Sequence, residues 1–313
     1  LHPSLQPILE ETFGIMIYQE QVQQAAQRLA GYTLGGADML RRAMGKKIKE
    51  AMDAERPKFL EGAAANGVDK KKAQEVWDLL EKFANYGFNK SHAAAYGVVS
   101  YHTAWLKANH PVEFMAAVMN CDLHLTDKLA AYMAEVRRLG IEIVPPCVNR
   151  SAERFTVEDG RILYALGALK NVGPEAMKLI VEARREGPFK DLFDLARRVE
   201  LKRIGKRPLE MLARAGAFDA LEPNRRRALE ALDALLAYSA TAQDEAASAQ
   251  VSLFGGPAEL PPPRLPSPEP WLPAERLAEE HGAVGFYLTG HPLDDFRGAL
   301  RRQRILTHEE LVA

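Results

Sequence analysis

Two short polar clusters in this sequence carry residue types suited to holding a charged ligand. The first is Asn89-Lys90-Ser91-His92, which follows a break at Gly87 and opens an Ala-rich stretch ending at Asn109, just before Pro111. A helix starting there turns its free backbone N–H groups and positive dipole end toward those four side chains, a setting that favours an anion. The second is Leu40-Arg41-Arg42-Ala43-Met44-Gly45-Lys46-Lys47, a helical pattern with Gly45 placed to end it. Two arginines and two lysines make it strongly basic. Each cluster also has a plainer reading, as a capped core helix behind solvated polar residues and as a solvated basic face.

The elements that must position these clusters are helices. Ala94, Val98, Tyr101 and Trp105 recur at helical spacing, with Ala95, Val99 and Leu106 widening the stripe, which predicts a well-buried helix up to Asn109. Gln19 to Ala30 reads as a helix with Val22, Ala26 and Leu29 inward and Gly31 as its stop. The Arg41-Arg42 helix follows Gly35-Gly36. Next comes Ile48 to Asn66, where Pro57 must kink the helix or begin a new one. Asp69 is placed to cap the next helix, whose face of Ala73, Val76, Trp77, Leu80 and Phe83 delivers the chain to Tyr86-Gly87-Phe88. A further helix is expected from Asp122 to Leu139.

Beyond it the pattern changes. Ile141 to Pro146 and Arg154 to Leu166 have short β-branched runs with a turn at Asp159-Gly160, predicting a small β element. Leu169-Lys170-Asn171-Val172-Gly173-Pro174-Glu175-Ala176 is similar to a helix-hairpin-helix motif, whose tight turn points backbone amides at a DNA phosphate. A degenerate second copy lies at Arg203-Ile204-Gly205-Lys206-Arg207-Pro208. Six basic residues face one acid between Arg197 and Arg207, and Arg225-Arg226-Arg227 adds three more. After Tyr238 small and polar residues, then a Pro-rich run to Pro273, read as flexible linker around the pentapeptide QVSLF, Gln250 to Phe254. A hydrophobic pentapeptide in a linker points to a partner's pocket.

The net charge of −1 gives no global attraction to nucleic acid, so any contact must come from local patches. Cys121 and Cys147 stand far apart without metal-ligand spacing and fit reduced thiols in a cytoplasmic protein. No run approaches the ~18 apolar residues of a membrane span, and no membrane partner is expected. The start at Leu1 reads as a piece of a longer polypeptide. No compact Asp-x-Asp pair bounded by strands is visible, so paired carboxylates for metal-assisted phosphoryl chemistry are not expected in this stretch.

YQEQV (Tyr18 to Val22), ADMLRRAMGKK (Ala37 to Lys47) and the run from Tyr86 to Ala117 resemble the fingers of the bacterial DNA polymerase III alpha subunit family, and Glu279 to Phe296 resembles the same family further along. The resemblance implies a mainly α, multidomain fold. It consists of a helical fingers domain over 1–120, a connecting helix and small β element over 121–165, and a tandem helix-hairpin-helix, clamp-binding domain over 166–237. A linker with the clamp motif follows over 238–275, and the start of an oligonucleotide-binding region over 276–313. It implies that Arg41, Arg42, Tyr86, Asn89, Lys90, Ser91 and His92 hold an incoming dNTP, with His92 against the sugar and Tyr86 flanking the base pair. It further implies DNA contacts from Lys170, Asn171, Val172, Gly173, Arg203, Gly205, Lys206 and Arg207, and sliding-clamp contacts from Gln250, Leu253 and Phe254. Primer-template DNA, the clamp and other replicase subunits are the implied partners. Mg²⁺ would be held by palm carboxylates outside this segment, leaving the segment alone inactive. A non-catalytic, clamp-tethered DNA-binding scaffold is the alternative; it accounts for 166–254 but leaves the fingers motifs unexplained.

Overall fold

After a short helical segment at Gln6–Leu9, the apolar periodicity of the first eighty residues is realised in the longer helices α1 (Gln19–Ala30), α2 (Leu34–Gly45), α3 (Lys49–Ala65) and α4 (Lys70–Phe83). They belong to a computed structural model describing residues 2–45, 49–83, 87–247 and 260–305, in which the chain forms two units, Leu1–Trp105 and Leu106–Ala313. In the first unit α1 starts where the Gln21 carboxamide oxygen accepts from the backbone N–H groups of Ile17 and Tyr18, at 2.8 and 2.9 Å. It stops at Gly31, whose φ of 65° suits glycine. Thr33 accepts from the Gly36 N–H through its hydroxyl at 3.1 Å, which moves the start of α2 ahead of the Gly35-Gly36 pair. Asp69 caps α4 as its position requires, accepting from Lys71 and Lys72 N–H at 3.1 Å.

Val22, Ala26, Leu29, Leu40, Phe59, Ala63, Trp77 and Leu80 form the core of this unit, with the Phe59 and Trp77 rings 5.2 Å apart. A side chain at Gly62 would sit 2.2 Å from the Ala30 carbonyl, so glycine sets the close approach of α3 to α1. Pro57 starts no new helix: α3 runs through it, because buried Phe59 and Ala63 hold the following turns against the core.

One expectation is overturned. The helix α5 (Lys90–Asn109) forms, but it has no buried residue, and Val98, Val99, Tyr101, Trp105 and Leu106 are exposed. Among the described residues, the core of this unit is built by α1 to α4 with Leu5 and Leu9 ahead of them, and no α5 residue is buried in it.

The second unit opens with α6 (Pro111–Cys121) and α7 (Thr126–Arg138). The predicted Asp122-to-Leu139 helix therefore begins a turn late, since residues 122–125 form a turn closed by Leu125 N–H on the Asp122 carbonyl at 2.8 Å. The β element follows as β1 (Ile143–Val144), β2 (Thr156–Glu158) and β3 (Arg161–Leu163), in the order β1-β3-β2. β2 and β3 make a hairpin with Val157 opposite Ile162, turning through Asp159 and Gly160 at φ 50° and 72°, while β1 runs parallel to β3. Then come α8 (Pro174–Ala183), α9 (Leu192–Arg198), α10 (Leu201–Ile204), α11 (Lys206–Ala215), α12 (Arg225–Glu230), α13 (Leu232–Ala247) and α14 (Pro273–Val284).

The expected linker is partly structure. α13 continues past Tyr238 because Tyr238 and Ser239 are buried, with the Ser239 hydroxyl donating to the Val199 carbonyl at 2.8 Å. The Pro-rich stretch lies along the unit, tied by Tyr238 to the Leu260 carbonyl at 3.1 Å and by Asn224 to the Pro268 carbonyl at 2.9 Å. Tyr164 is buried in the core with its ring edge-on to Phe155, centroids 5.1 Å apart, yet its hydroxyl has no hydrogen-bond partner among the described residues. Burial, and next the negative charge of Glu280, push this phenol above its ordinary range. An unsatisfied buried hydroxyl costs about 1–3 kcal/mol. Tyr164→Phe is therefore expected to raise unfolding stability by about 1 kcal/mol in denaturant titration; a loss of that size would show that the hydroxyl is bonded in solution.

Candidate functional site

The amino end of α1 brings the two sequence-predicted clusters of the first unit together. Tyr18 bridges Phe88 in a short parallel pairing, with Gln19 N–H donating to the Phe88 carbonyl at 2.9 Å and Phe88 N–H to the Ile17 carbonyl at 3.3 Å. The YQEQV segment thereby fixes the turn that carries Asn89 to His92. From the same residue, the Gln19 side chain donates to the Gly87 carbonyl at 3.1 Å and accepts from the Arg41 guanidinium at 3.4 Å.

Arg41 and Arg42 share one carboxylate. Asp38, one turn earlier on α2, accepts from Arg41 Nε at 2.9 Å through one oxygen and from Arg42 Nε at 2.8 Å through the other. The Arg41 hydrogen bond, and then the charge of Arg42, hold the Asp38 carboxyl below its usual range. Both guanidiniums keep further N–H groups, and Arg42 is 68% exposed.

Across the turn, Asn89 caps α5 by accepting from the His92 N–H at 2.8 Å. Lys90 reaches both Glu11 oxygens, at 2.7 and 2.5 Å, and this contact raises its pKa. Its backbone N–H donates to Glu20 at 2.9 Å, so a carboxylate lies at the positive helix end where the sequence favoured an anion. Ser91 is exposed, and the exposed His92 ring meets Tyr96 edge-on, with centroids 4.6 Å apart. Tyr86, Lys46, Lys47 and the whole of QVSLF, with Gln250, Leu253 and Phe254, lie outside the described residues.

Sequence reasoning missed Gln19 and Asp38. Gln19 looked like an ordinary helix-start residue, and the only signal for Asp38 was its spacing of three and four residues before the two arginines.

The second unit carries two hairpin turns. Asn171 adopts φ 60°, Val172 is buried beneath it, and Gly173 precedes α8 with Pro174 at its first position. Lys170 N–H donates to the Ala283 carbonyl at 2.8 Å, pinning the turn to α14. The turn opens on a cavity of about 400 Å³ lined also by His124 and Thr126. The second turn passes through Gly205 at φ 89° into α11. Here Arg203 pairs with Glu200 at 3.7 Å and Lys206 with Asp233 at 2.7 Å, while Arg207 is exposed and has no ion pair among the described residues.

Much of the basic run is committed internally. Arg198 packs on the Phe189 ring and donates to the Gly187 carbonyl at 2.8 Å. Arg225 is buried between Asp219 and Glu280, Arg226 pairs with Glu230, and Arg227 with Glu222. A count of positive letters thus overstates the free charge at this surface. Among the described residues, no group of three or more His, Cys, Asp or Glu side chains is placed to hold a metal ion. Among the described residues, no helix is long and apolar enough to cross a membrane.

Comparison with known proteins adds independent findings. Residues 1–67 match the bacterial DNA polymerase III alpha subunit finger domain, and residues 140–228 match a helix-hairpin-helix motif. A DNA polymerase III subunit alpha from Caulobacter vibrioides is 52% identical over 100% of this chain, which corresponds to 28% of that protein. The proteins of the same name from Pseudomonas fluorescens and Escherichia coli K12 are 49% and 48% identical, over 97% and 96% of this chain and 28% and 26% of theirs. The chain spans little more than a quarter of the length of these relatives.

Proposed function

We propose that this chain, similar along its length to a segment of bacterial DNA polymerase III alpha subunits, is the part of such a subunit that holds the incoming dNTP and grips DNA during template-directed synthesis. The observation that carries this reading is the meeting, at the start of α1, of two polar clusters far apart in sequence. Gln19 links the Arg41 guanidinium to the Gly87 carbonyl just ahead of the Asn89–His92 turn, and Arg42 shares Asp38 with Arg41, which supports reading the two clusters as one triphosphate site.

In this reading Arg41 and Arg42 hold the phosphates, and Asn89, Lys90 and Ser91 line the phosphate or sugar side. The His92 ring lies against the sugar, and Tyr86 flanks the base pair. For Lys90 to reach the nucleotide it must exchange Glu11 for phosphate. The hairpin residues Lys170, Asn171, Val172 and Gly173, with Arg203, Gly205, Lys206 and Arg207, contact DNA phosphates irrespective of base sequence. QVSLF tethers the subunit to a sliding clamp, other replicase subunits complete the assembly, and the setting is cytoplasmic. In this reading the Mg²⁺ that supports phosphoryl transfer would be held by palm carboxylates outside this segment; among the described residues no group of three or more His, Cys, Asp or Glu side chains is placed to hold a metal ion.

The test is made in the intact alpha subunit. A hydrogen bond to a charged group is worth about 1.5–3 kcal/mol. Arg41→Ala and Arg42→Ala are each expected to lower kcat/KM for dNTP by roughly tenfold to a hundredfold. Unchanged kcat/KM in both variants would make them surface charges and overturn the nucleotide assignment.

A further inference from the structure

The Gln19 side chain uses both ends of one amide. Its acceptor faces the Arg41 guanidinium at 3.4 Å and its donor faces the Gly87 carbonyl at 3.1 Å. The orientation is forced by the partners: guanidinium only donates and a carbonyl only accepts. We propose that Gln19 is a positioning residue, which sets Arg41 and the Gly87–His92 turn at one fixed spacing so that a nucleotide meets both together. This rests on the nucleotide reading above.

Three features single out an amide at this position. Among the described residues, Gln19 is the one whose side chain touches both segments, which lie 46 positions apart from Arg41 to Gly87 in the chain. Glutamate has the same shape and would keep the Arg41 contact, but it would set carboxylate oxygen against the Gly87 carbonyl, acceptor against acceptor. Gly87 itself is tailored to this contact, since a Cβ there would lie 3.1 Å from Gln19 Cγ and 3.1 Å from the Phe83 ring.

The local fold does not depend on this amide. The turn is held to α1 by backbone bonds at Gln19 and Phe88, and α1 is capped through Gln21. Removing the Gln19 side-chain contacts should therefore alter spacing without unfolding the unit.

The experiment is a double-mutant cycle on dNTP use in the intact subunit, with Gln19→Ala, Gln19→Glu, Arg41→Ala and the double variant Gln19→Ala/Arg41→Ala. Gln19→Ala and Gln19→Glu are each expected to raise KM for dNTP about tenfold, with a smaller change in kcat and unfolding midpoints within a degree or two of the parent. The double variant should behave like Arg41→Ala alone, because Gln19 acts through that arginine. Additive losses, or an unchanged KM in Gln19→Glu, would overturn the positioning role while leaving the nucleotide reading intact. If Arg41→Ala itself leaves dNTP use unchanged, the nucleotide reading fails first, and this inference with it. A KM rise accompanied by a large fall in unfolding midpoint would assign Gln19 a structural role and overturn the inference as well.

Discussion

Arg225→Ala is expected to destabilise the second unit by about 3–5 kcal/mol, the range for removing one partner of a buried charge pair. Arg225 is 4% exposed and Glu280 1%. The guanidinium spans two acids, meeting Asp219 at 2.9 and 2.8 Å and Glu280 at 3.2 Å. Glu280 also accepts from Thr289, whose N–H lies 2.8 Å from one carboxylate oxygen and whose hydroxyl lies 3.0 Å from that oxygen and 2.8 Å from the other. Truncating Arg225 leaves Glu280 charged, buried and short of its cation. The same truncation severs α12 from α14, so loosening should spread along Pro273–Val284. Hydrogen exchange read peptide by peptide should show the first unit unaffected. Arg225→Met with Glu280→Met should recover much of the loss, since a well-packed apolar pair can replace an ion pair. A loss below about 1 kcal/mol for Arg225→Ala would mean that water reaches the pair.

Gly216 belongs to the same construction. Its φ of 82° is a left-handed conformation, and a Cβ there would lie 2.2 Å from the Arg225 guanidinium. The glycine is required twice over, by the turn and by the side chain passing across it.

The second large effect is expected at QVSLF, the proposed clamp-binding peptide. Leu253→Ala with Phe254→Ala should weaken binding of the intact subunit to a sliding clamp by at least a hundredfold and abolish synthesis of long products. Burying two such side chains contributes roughly 3–6 kcal/mol, part of which is offset by ordering the segment. The isolated peptide should accordingly bind in the micromolar range, with simultaneous DNA binding raising the effective affinity. Extension of a short primer without the clamp should remain near the parent rate, because the proposed nucleotide residues are untouched. Clamp titration giving parental affinity for the double variant would make QVSLF a chance match.

Local rules legible in the letters were sufficient for most elements. The capping of α4 by Asp69, the stop of α1 at Gly31 and the Asp159-Gly160 hairpin each depend on a backbone preference of one or two residues. The mainly α character and the core face of α4 followed from periodicity, because a 3.6-residue repeat leaves a single apolar stripe. Long motifs carried the family resemblance, and the finger-domain and helix-hairpin-helix matches agree with it.

What a side chain does with its charge or its apolar face was decided by tertiary structure. The α5 stripe has the pattern of a buried helix and is exposed, since periodicity records an apolar face and not its partner. The run Arg225-Arg226-Arg227 reads as a basic surface, yet one arginine is buried and all three are paired. Charge in a sequence is a count, whereas free charge depends on which acids the fold brings within about 4 Å. The candidate nucleotide corner divides in the same way. Its arginines and its polar turn were visible as residue types, but Gln19 touches both only because α1 returns to the Gly87 turn. A contact between residues far apart in the chain leaves no local mark, and that is why the sequence named the clusters and the fold supplied the residue joining them.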